Sequence, residues 1–308
     1  MRPTHGIFQR VRGTYTLLSF YGTHRVPAEL ERSPLPPPIL REPRAAVPVL
    51  LSVPHSGRDY PNWLVANAAG GLAALEGLED PLVDRLVWRA VAGGIGAVIA
   101  RAPRAAIDCN RAADEIDPSV IAGAGGEPVG KRAKGGLGIV PSRSAPHGRL
   151  WRRPIDQAEL DRRVAEAHES FHAAIGRQLD RLVARHGQAL LLDCHSMPRR
   201  NGQAQIVLGD RHGGSAASWV AAEAARICRA EGWTAALNDP YAGGHVVERH
   251  GRPERGVHAL QVEVDRSCYL ARDGRSPGAG FDRAARLFER LAIGLGEALA
   301  SPDAIAAE

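Results

Sequence analysis

The sequence predicts an α/β fold built on a mostly parallel sheet. Short apolar runs of strand length alternate along the chain with amphipathic helical stretches. Three of those runs end directly in polar, ligand-type residues, and in open α/β sheets that strand edge is where ligands bind. A chain of 308 residues, 44% of them hydrophobic, is long enough to bury a sizeable core.

Residues 1–45 read as an irregular extension, with Ser33-Pro-Leu-Pro-Pro-Pro-Ile39 a stiff proline segment. One domain is expected over 46–300. It begins with Val47 to Pro54, a buried strand running into His55-Ser56-Gly57. Asp80 as N-cap and Pro81 at the first helical position predict a helix over 81–92, stopped by Gly93-Gly94. Strands follow over 97–100 and 105–108, the second ending at Cys109-Asn110-Arg111. Residues 115–148 are rich in Gly and Pro and form a long loop of the kind that carries function or mobility. Leu160, Val164, Ala167, Phe171, Ile175, Leu179 and Leu182 recur at helical spacing and predict a long amphipathic helix over 156–186. A buried strand over 188–193 then leads into Cys194-His195-Ser196. Further strands are expected over 206–208, 234–237 and 257–264, with helices over 215–231 and 280–299.

Composition narrows the function classes. No apolar run reaches 18 residues, so no transmembrane helix and no membrane partner are expected. The net charge of +5 is not organised for nucleic acid, because aromatic content is 5% and no basic patch is interleaved with aromatics. A basic pocket for a small acidic substrate accounts for the sign equally well, and the run Lys131-Arg132-Ala133-Lys134 reads as a solvated surface. Cys109, Cys194, Cys228 and Cys268 are widely spaced, which excludes a cysteine zinc finger and fits reduced thiols in a cytoplasm. The first 30 residues lack the apolar region and cleavage site of a secretory signal.

His55 and His195, each at a strand end, are candidate zinc ligands; a catalytic zinc needs a third ligand and keeps a position open for water. Carboxylates at Asp59, Asp80 and Asp84 are the available sources. Glu263 sits in an otherwise apolar strand, with Gln261 and Asp265 on its face. A buried carboxylate needs a partner: a metal-associated water would make Glu263 a general base, and a salt bridge to an arginine would satisfy it equally. Arg111 offers a bidentate fork for a substrate carboxylate, or a surface ion pair. Asp108 and Asp193 each precede a site residue by two and are placed to orient it. The segment Gly243 to Pro253 reads as a loop or hairpin over the site, from which His245, Arg249 or His250 would contact substrate.

Five segments together resemble the N-formylglutamate amidohydrolase family: Val53-Pro-His-Ser-Gly57, Asp80-Pro-Leu-Val-Asp-Arg-Leu86, Ile107-Asp-Cys-Asn-Arg111, Leu192-Asp-Cys-His-Ser196 and Gly256-Val-His-Ala-Leu-Gln-Val-Glu-Val264. That family is similar in turn to zinc carboxypeptidases. The resemblance implies a three-layer α/β/α sandwich around a mixed, mostly parallel sheet, zinc-carboxypeptidase-like (phosphorylase/hydrolase-like), with one zinc per chain at the C-terminal strand edge. It implies His55, His195 and a carboxylate as ligands, Asp84 first, Asp80 as the alternative and Asp59 third. The His-x-x-Glu pair of carboxypeptidases is broken here by Arg58. It also implies Glu263 as the catalytic base and Asn110 and Arg111 as contacts to a substrate carboxylate; Ser196, beside His195, and Arg249, from the segment Gly243 to Pro253, are taken as further substrate contacts. The activity implied is hydrolysis of the formyl amide of a small acidic N-acyl amino acid such as N-formyl-L-glutamate, a step of histidine degradation. A related zinc deacylase or carboxypeptidase, or a metal-free binding protein on the same fold, is the alternative. The oligomeric state is left open.

Overall fold

The strands that lead into His55 and His195 lie side by side in a single seven-stranded sheet. The computed structural model describes residues 32–145 and 147–301, together with the backbone of 7–11 and 14–18. It divides into two units, Met1–Ser33 and Pro34–Glu308. Within the first, Ile7–Val11 (β1) and Thr14–Leu18 (β2) pair antiparallel. The second opens with Ile39–Arg41 (β3), a strand too short to show periodicity in a sequence dominated by prolines. Both elements fall in the stretch read from sequence as irregular.

The main sheet continues with Val49–Val53 (β4) and Gly96–Ile99 (β5). Arg143–Ser144 (β6) and Gly148–Arg149 (β7) make a small separate hairpin. Ala189–Met197 (β8), Ile206–Gly209 (β9), Ala235–Leu237 (β10) and Val257–Asp265 (β11) complete the strands. Their order is β10-β9-β11-β8-β4-β5-β3. β9 and β3 run antiparallel to their neighbours β11 and β5, and the other pairs are parallel.

Alternation along the strands sends side chains to two helical layers. Val49, Leu51 and Val53 of β4, with Leu190, Leu192 and Cys194 of β8, pack on one face. Val83–Leu86 (here α3, after the short Asn62–Asn67, α1, and Gly71–Glu76, α2), Trp88–Ala92 (α4) and the C-terminal Phe281–Ala300 cover that face. Leu50, Ala189, Leu191 and Ala259 point the other way, beneath the long helix. That helix is continuous from Gln157–Arg163 through a π turn at Val164–Glu169 into Ser170–His186. With Gly130–Lys134 as α5, its two α segments are α6 and α7. Ser218–Ala230 is α8, His245–His250 is α9 and Phe281–Ala300 is α10. Each fully buried Leu, Val or Phe in these layers contributes about 1.5–3 kcal/mol.

Three expectations change. Residues 105–108 form a turn, with the Ala106 and Ile107 N–H groups donating to the Pro103 carbonyl, not a strand. Their apolar side chains are buried because they pack in a third cluster with Leu64, Leu75 and Trp151. The helix expected over 81–92 is two short pieces, α3 and α4. The stretch read as a loop or hairpin from Gly243 contains the helix α9, held by Val246 and Val247 against the sheet. Among the described residues, no helix is long and apolar enough to cross a membrane.

Candidate metal and active site

The parallel register of β8 and β11 sets Glu263 beside His195 and Gln261 beside Asp193. Ser52 at the end of β4 is in turn beside Asp193. These residues share the sheet face that carries Ala189, Leu191 and Ala259 deeper in the core. Polar groups therefore replace apolar ones along a single face as the strands reach their C-terminal edge. His55 lies just beyond β4. It is positioned by the turn at Gly57, which lies so close to the Ala102 carbonyl that a Cβ would collide with it.

His55 and His195 meet edge to face, with ring centroids 4.7 Å apart. Their Nδ1 atoms converge on one oxygen of Asp80, at 3.3 Å and 2.9 Å. Their outer Nε2 atoms meet other carboxylates, Asp108 Oδ1 at 2.7 Å and Asp193 Oδ2 at 2.8 Å. Each carboxylate is anchored through a further contact. Asp108 accepts from Arg104 Nε at 2.9 Å and from the Asn110 N–H, and Asp193 accepts from Ser52 Oγ at 2.7 Å. Asp80 Oδ1 accepts from Arg266 Nη2 at 2.8 Å. All three carboxylates are buried.

Burial by itself would raise the Asp80 pKa, but hydrogen bonds from His195 and His55 hold it well below the usual carboxylate range. Asp108 is likewise held down against its burial by the neighbouring His55, Arg104 and Arg111 charges. Burial alone would lower the His195 pKa, but Asp193, Asp80 and Glu263 together push it well above its ordinary value.

The donor set fits a divalent cation. A neutral imidazole that donates its Nε2 proton to a carboxylate has a lone pair on Nδ1. Two such lone pairs and an Asp80 oxygen converge here. Without a cation, the same contacts require two doubly protonated imidazoles. Two nitrogens and one oxygen, with the far nitrogens tied to carboxylates, match the kind of donor set with which a catalytic zinc would keep a coordination position open.

Asp80 rather than Asp84 faces the histidines, which corrects the first choice of carboxylate. Asp84 lies on α3 with both oxygens on Arg58, at 3.2 Å and 2.6 Å. Asp59 is equally engaged, by Arg101 at 2.7 Å. Asp80 reaches the site because its N–H donates to the His55 carbonyl, which brings the end of that loop back to the strand edge.

Glu263 is buried, and Gln261 Nε2 donates to its Oε1 at 2.9 Å. Burial pushes its pKa up to about 7; His195 and Arg104 oppose the shift, while Asp80 and Asp193 add to it. Asn110 lies 3.1 Å from His195, but its side-chain oxygen accepts from the Val246 N–H at 2.8 Å, tying it to α9. Gly244 packs so closely on that amide that a Cβ would overlap it. Arg111 is buried, donates to the Leu137 and Asn110 carbonyls and has no carboxylate ion-pair partner among the described residues. Ser196 Oγ accepts from Arg266 Nε at 3.1 Å.

Arg249 does not face the site unpaired, as expected from sequence: on the helix α9 its fork closes on Glu169, at 3.1 Å and 3.0 Å. His245 and His250 belong instead to a second group with His168 and His172, behind the Asn110–Arg111 turn. There, His168 Nε2 meets the Arg111 carbonyl at 2.8 Å and His172 Nε2 meets the Cys109 carbonyl at 2.9 Å. Arg104 and Arg266 were missed from sequence. Arg266 immediately follows β11, so extending the strand-end rule by one residue finds it. Nothing local marks Arg104. All four cysteines are free.

A family model described as N-formylglutamate amidohydrolase matches residues 47–270, a span that includes His55, Asp80, His195 and Glu263. N-formylglutamate deformylase of Pseudomonas aeruginosa is 30% identical over 250 residues, covering 78% of this chain and 88% of that protein. The N-formylglutamate deformylase of Pseudomonas putida is 29% identical over 243 residues, covering 73% and 82%. A crystal structure of an N-formylglutamate amidohydrolase from Ralstonia eutropha JMP134 superposes with a TM-score of 0.78 at 30% identity, over 85% of this chain and 98% of that one. A gene product of Agrobacterium tumefaciens shares the fold at 18% identity, with a TM-score of 0.62 over 86% of this chain and 94% of that one.

Proposed function

The chain belongs to the N-formylglutamate amidohydrolase family, and on that premise we propose that it hydrolyses N-formyl-L-glutamate to formate and L-glutamate, with zinc held by His55, Asp80 and His195. The observation that carries the proposal is the placement of Glu263 in register with His195, beside three convergent donor atoms. Zinc bound there would polarise the formyl carbonyl and lower the pKa of water from about 15.7 towards 7.

Glu263, with its pKa raised to about 7 by burial, is suited to take a proton from the attacking water and return it to the departing amide nitrogen. Water adds to the formyl carbon, the carbon–nitrogen bond breaks, and formate and the free amine leave. Gln261 holds Glu263 in place through its side-chain N–H. Arg111, buried without a carboxylate of its own, supplies the charge that takes a substrate carboxylate. Asn110 fixes the turn that carries it.

Elemental analysis combined with a formate-release assay tests the reading. About one zinc per chain is expected, with turnover lost on chelation and restored by zinc. A panel of N-formyl, N-acetyl and N-succinyl amino acids separates deformylation from a broader deacylase. Full turnover in metal-free protein, or turnover confined to the larger acyl groups, would overturn it.

A further inference from the structure

The proposed substrate carries two carboxylates, and the site residues described so far provide one unpaired buried arginine. A second unpaired arginine stands next to it, in the basic run that reads from sequence as a solvated surface. Arg132 lies on α5, with its guanidinium 5.7 Å from the centre of the Tyr241 ring. Among the described residues neither Arg132 nor Arg111 has an ion-pair partner.

One residue connects the two. The Leu137 N–H donates to the Arg132 carbonyl at 2.8 Å, and the Leu137 carbonyl accepts from Arg111 Nε at 2.9 Å. Tyr241 belongs to another segment. It is three residues ahead of Gly244, whose backbone packs on the Asn110 amide and donates to Gln261 at 2.8 Å. The segment carrying Arg132 and the segment carrying Tyr241 thus each touch the Asn110–Arg111 turn, and they meet each other beside it. The two like charges also sense one another, since Arg132 is among the groups that hold the Arg111 pKa down after burial. An unpaired pair of arginines in this position is a receptor for a dianion.

We infer that Arg132, steadied on Tyr241, binds the side-chain carboxylate of the substrate while Arg111 binds the other, so that Arg132 sets the preference for an acidic amino acid. This rests on the deformylase reading, and the test separates the two. Calorimetry measures glutarate and its monoamide binding to the zinc-loaded protein, beside kcat and KM for N-formyl-L-glutamate and N-formyl-L-glutamine. The wild type should bind glutarate roughly tenfold more tightly than the monoamide, the low end for a charged hydrogen bond because Arg132 is exposed.

Arg132→Gln should erase that difference and raise KM for N-formyl-L-glutamate by a similar factor. Its kcat, and both constants for N-formyl-L-glutamine, should stay within about twofold. Lys134→Gln, a charge change of the same kind on the same helix, should preserve the preference. Equal binding of the two probes by the wild type, or a preference that survives Arg132→Gln, overturns the inference. A glutarate preference that depends on Arg132 in a protein that does not deformylate N-formyl-L-glutamate would instead remove the deformylase reading and keep the dicarboxylate receptor.

Discussion

Among the described residues, two groups of three histidine or aspartate side chains lie within ligand distance of one another, and their partners make them different objects. At the strand edge, His55 and His195 give their far nitrogens to Asp108 and Asp193 and turn their near nitrogens to Asp80. Behind the Asn110–Arg111 turn, His168 and His172 give their far nitrogens to backbone carbonyls. His172 takes a further bond from His250 at 2.9 Å, so its ring is satisfied while neutral. The two carboxylates among the described residues that touch this second group are each held by an arginine and are not buried with the rings: Glu169, beside His168, by Arg249, and Glu248, 3.8 Å from His245, by Arg211. Clustered imidazoles therefore do not define a metal site. Buried carboxylates on both sides of the imidazoles are what suit a group to a cation, and of the two groups it is the strand-edge one that has them. The second group instead braces the Asn110–Arg111 turn.

The strongest test of this difference removes one histidine from each group. His195→Ala should leave almost no zinc in purified protein and no turnover, whereas His245→Ala should keep the wild-type zinc content; equal losses would erase the distinction. Next in size, Glu263→Gln should lower kcat by about 10²- to 10⁴-fold with zinc retained, the range for loss of a general base. Zinc loss in that variant would make Glu263 a ligand instead. Asp193→Asn keeps the shape of its side chain but weakens the anchor on His195, and competition with a chelator should show roughly 10- to 100-fold weaker zinc binding. His172→Ala should leave zinc content alone and cost about 1–3 kcal/mol of unfolding free energy from the orphaned Cys109 carbonyl, read from denaturant midpoints.

A further test is a pH dependence, which develops only gradually as the pH falls. Burial, with Arg249 and His245 adding to it, pushes His250 down from 6.5 to about 3. Below about pH 6.5 the unfolded chain takes up a proton on this imidazole that the folded chain refuses until about pH 3. Stability contributed by the neutral ring is therefore complete above pH 6.5 and declines through that window. His250→Gln should flatten this part of the acid-unfolding curve. An unchanged slope would mean the ring titrates normally.

Much of the frame was legible because each strand of the main sheet, apart from β3, is an apolar run, and a strand's end can be read from where that run stops. His55 and His195 were singled out that way, and Glu263 as a carboxylate inside such a run. The choice between Asp80 and Asp84 was not legible. The two are four residues apart, and what separates them is the reach of Arg58 to one and of Arg266, 186 residues away in sequence, to the other. Asp108 shows the same limit. Its position two residues before Asn110 is real in the backbone bond it accepts, yet its carboxylate also holds His55, 53 residues earlier. Arg249 looked available for substrate because its partner Glu169 lies on another helix.

The chain positions of the donors have a mechanical consequence. Asp80 is 25 residues from His55 and 115 from His195, so an ion held by the three would close two loops at once, the larger containing the Gly- and Pro-rich stretch over 115–148. Such an ion is a removable staple, and its binding energy is stability lent to everything it encloses. Chelation should then speed protease cutting within 115–148 before any other change is seen, making the rate of nicking in that loop a readout of metal occupancy independent of catalysis.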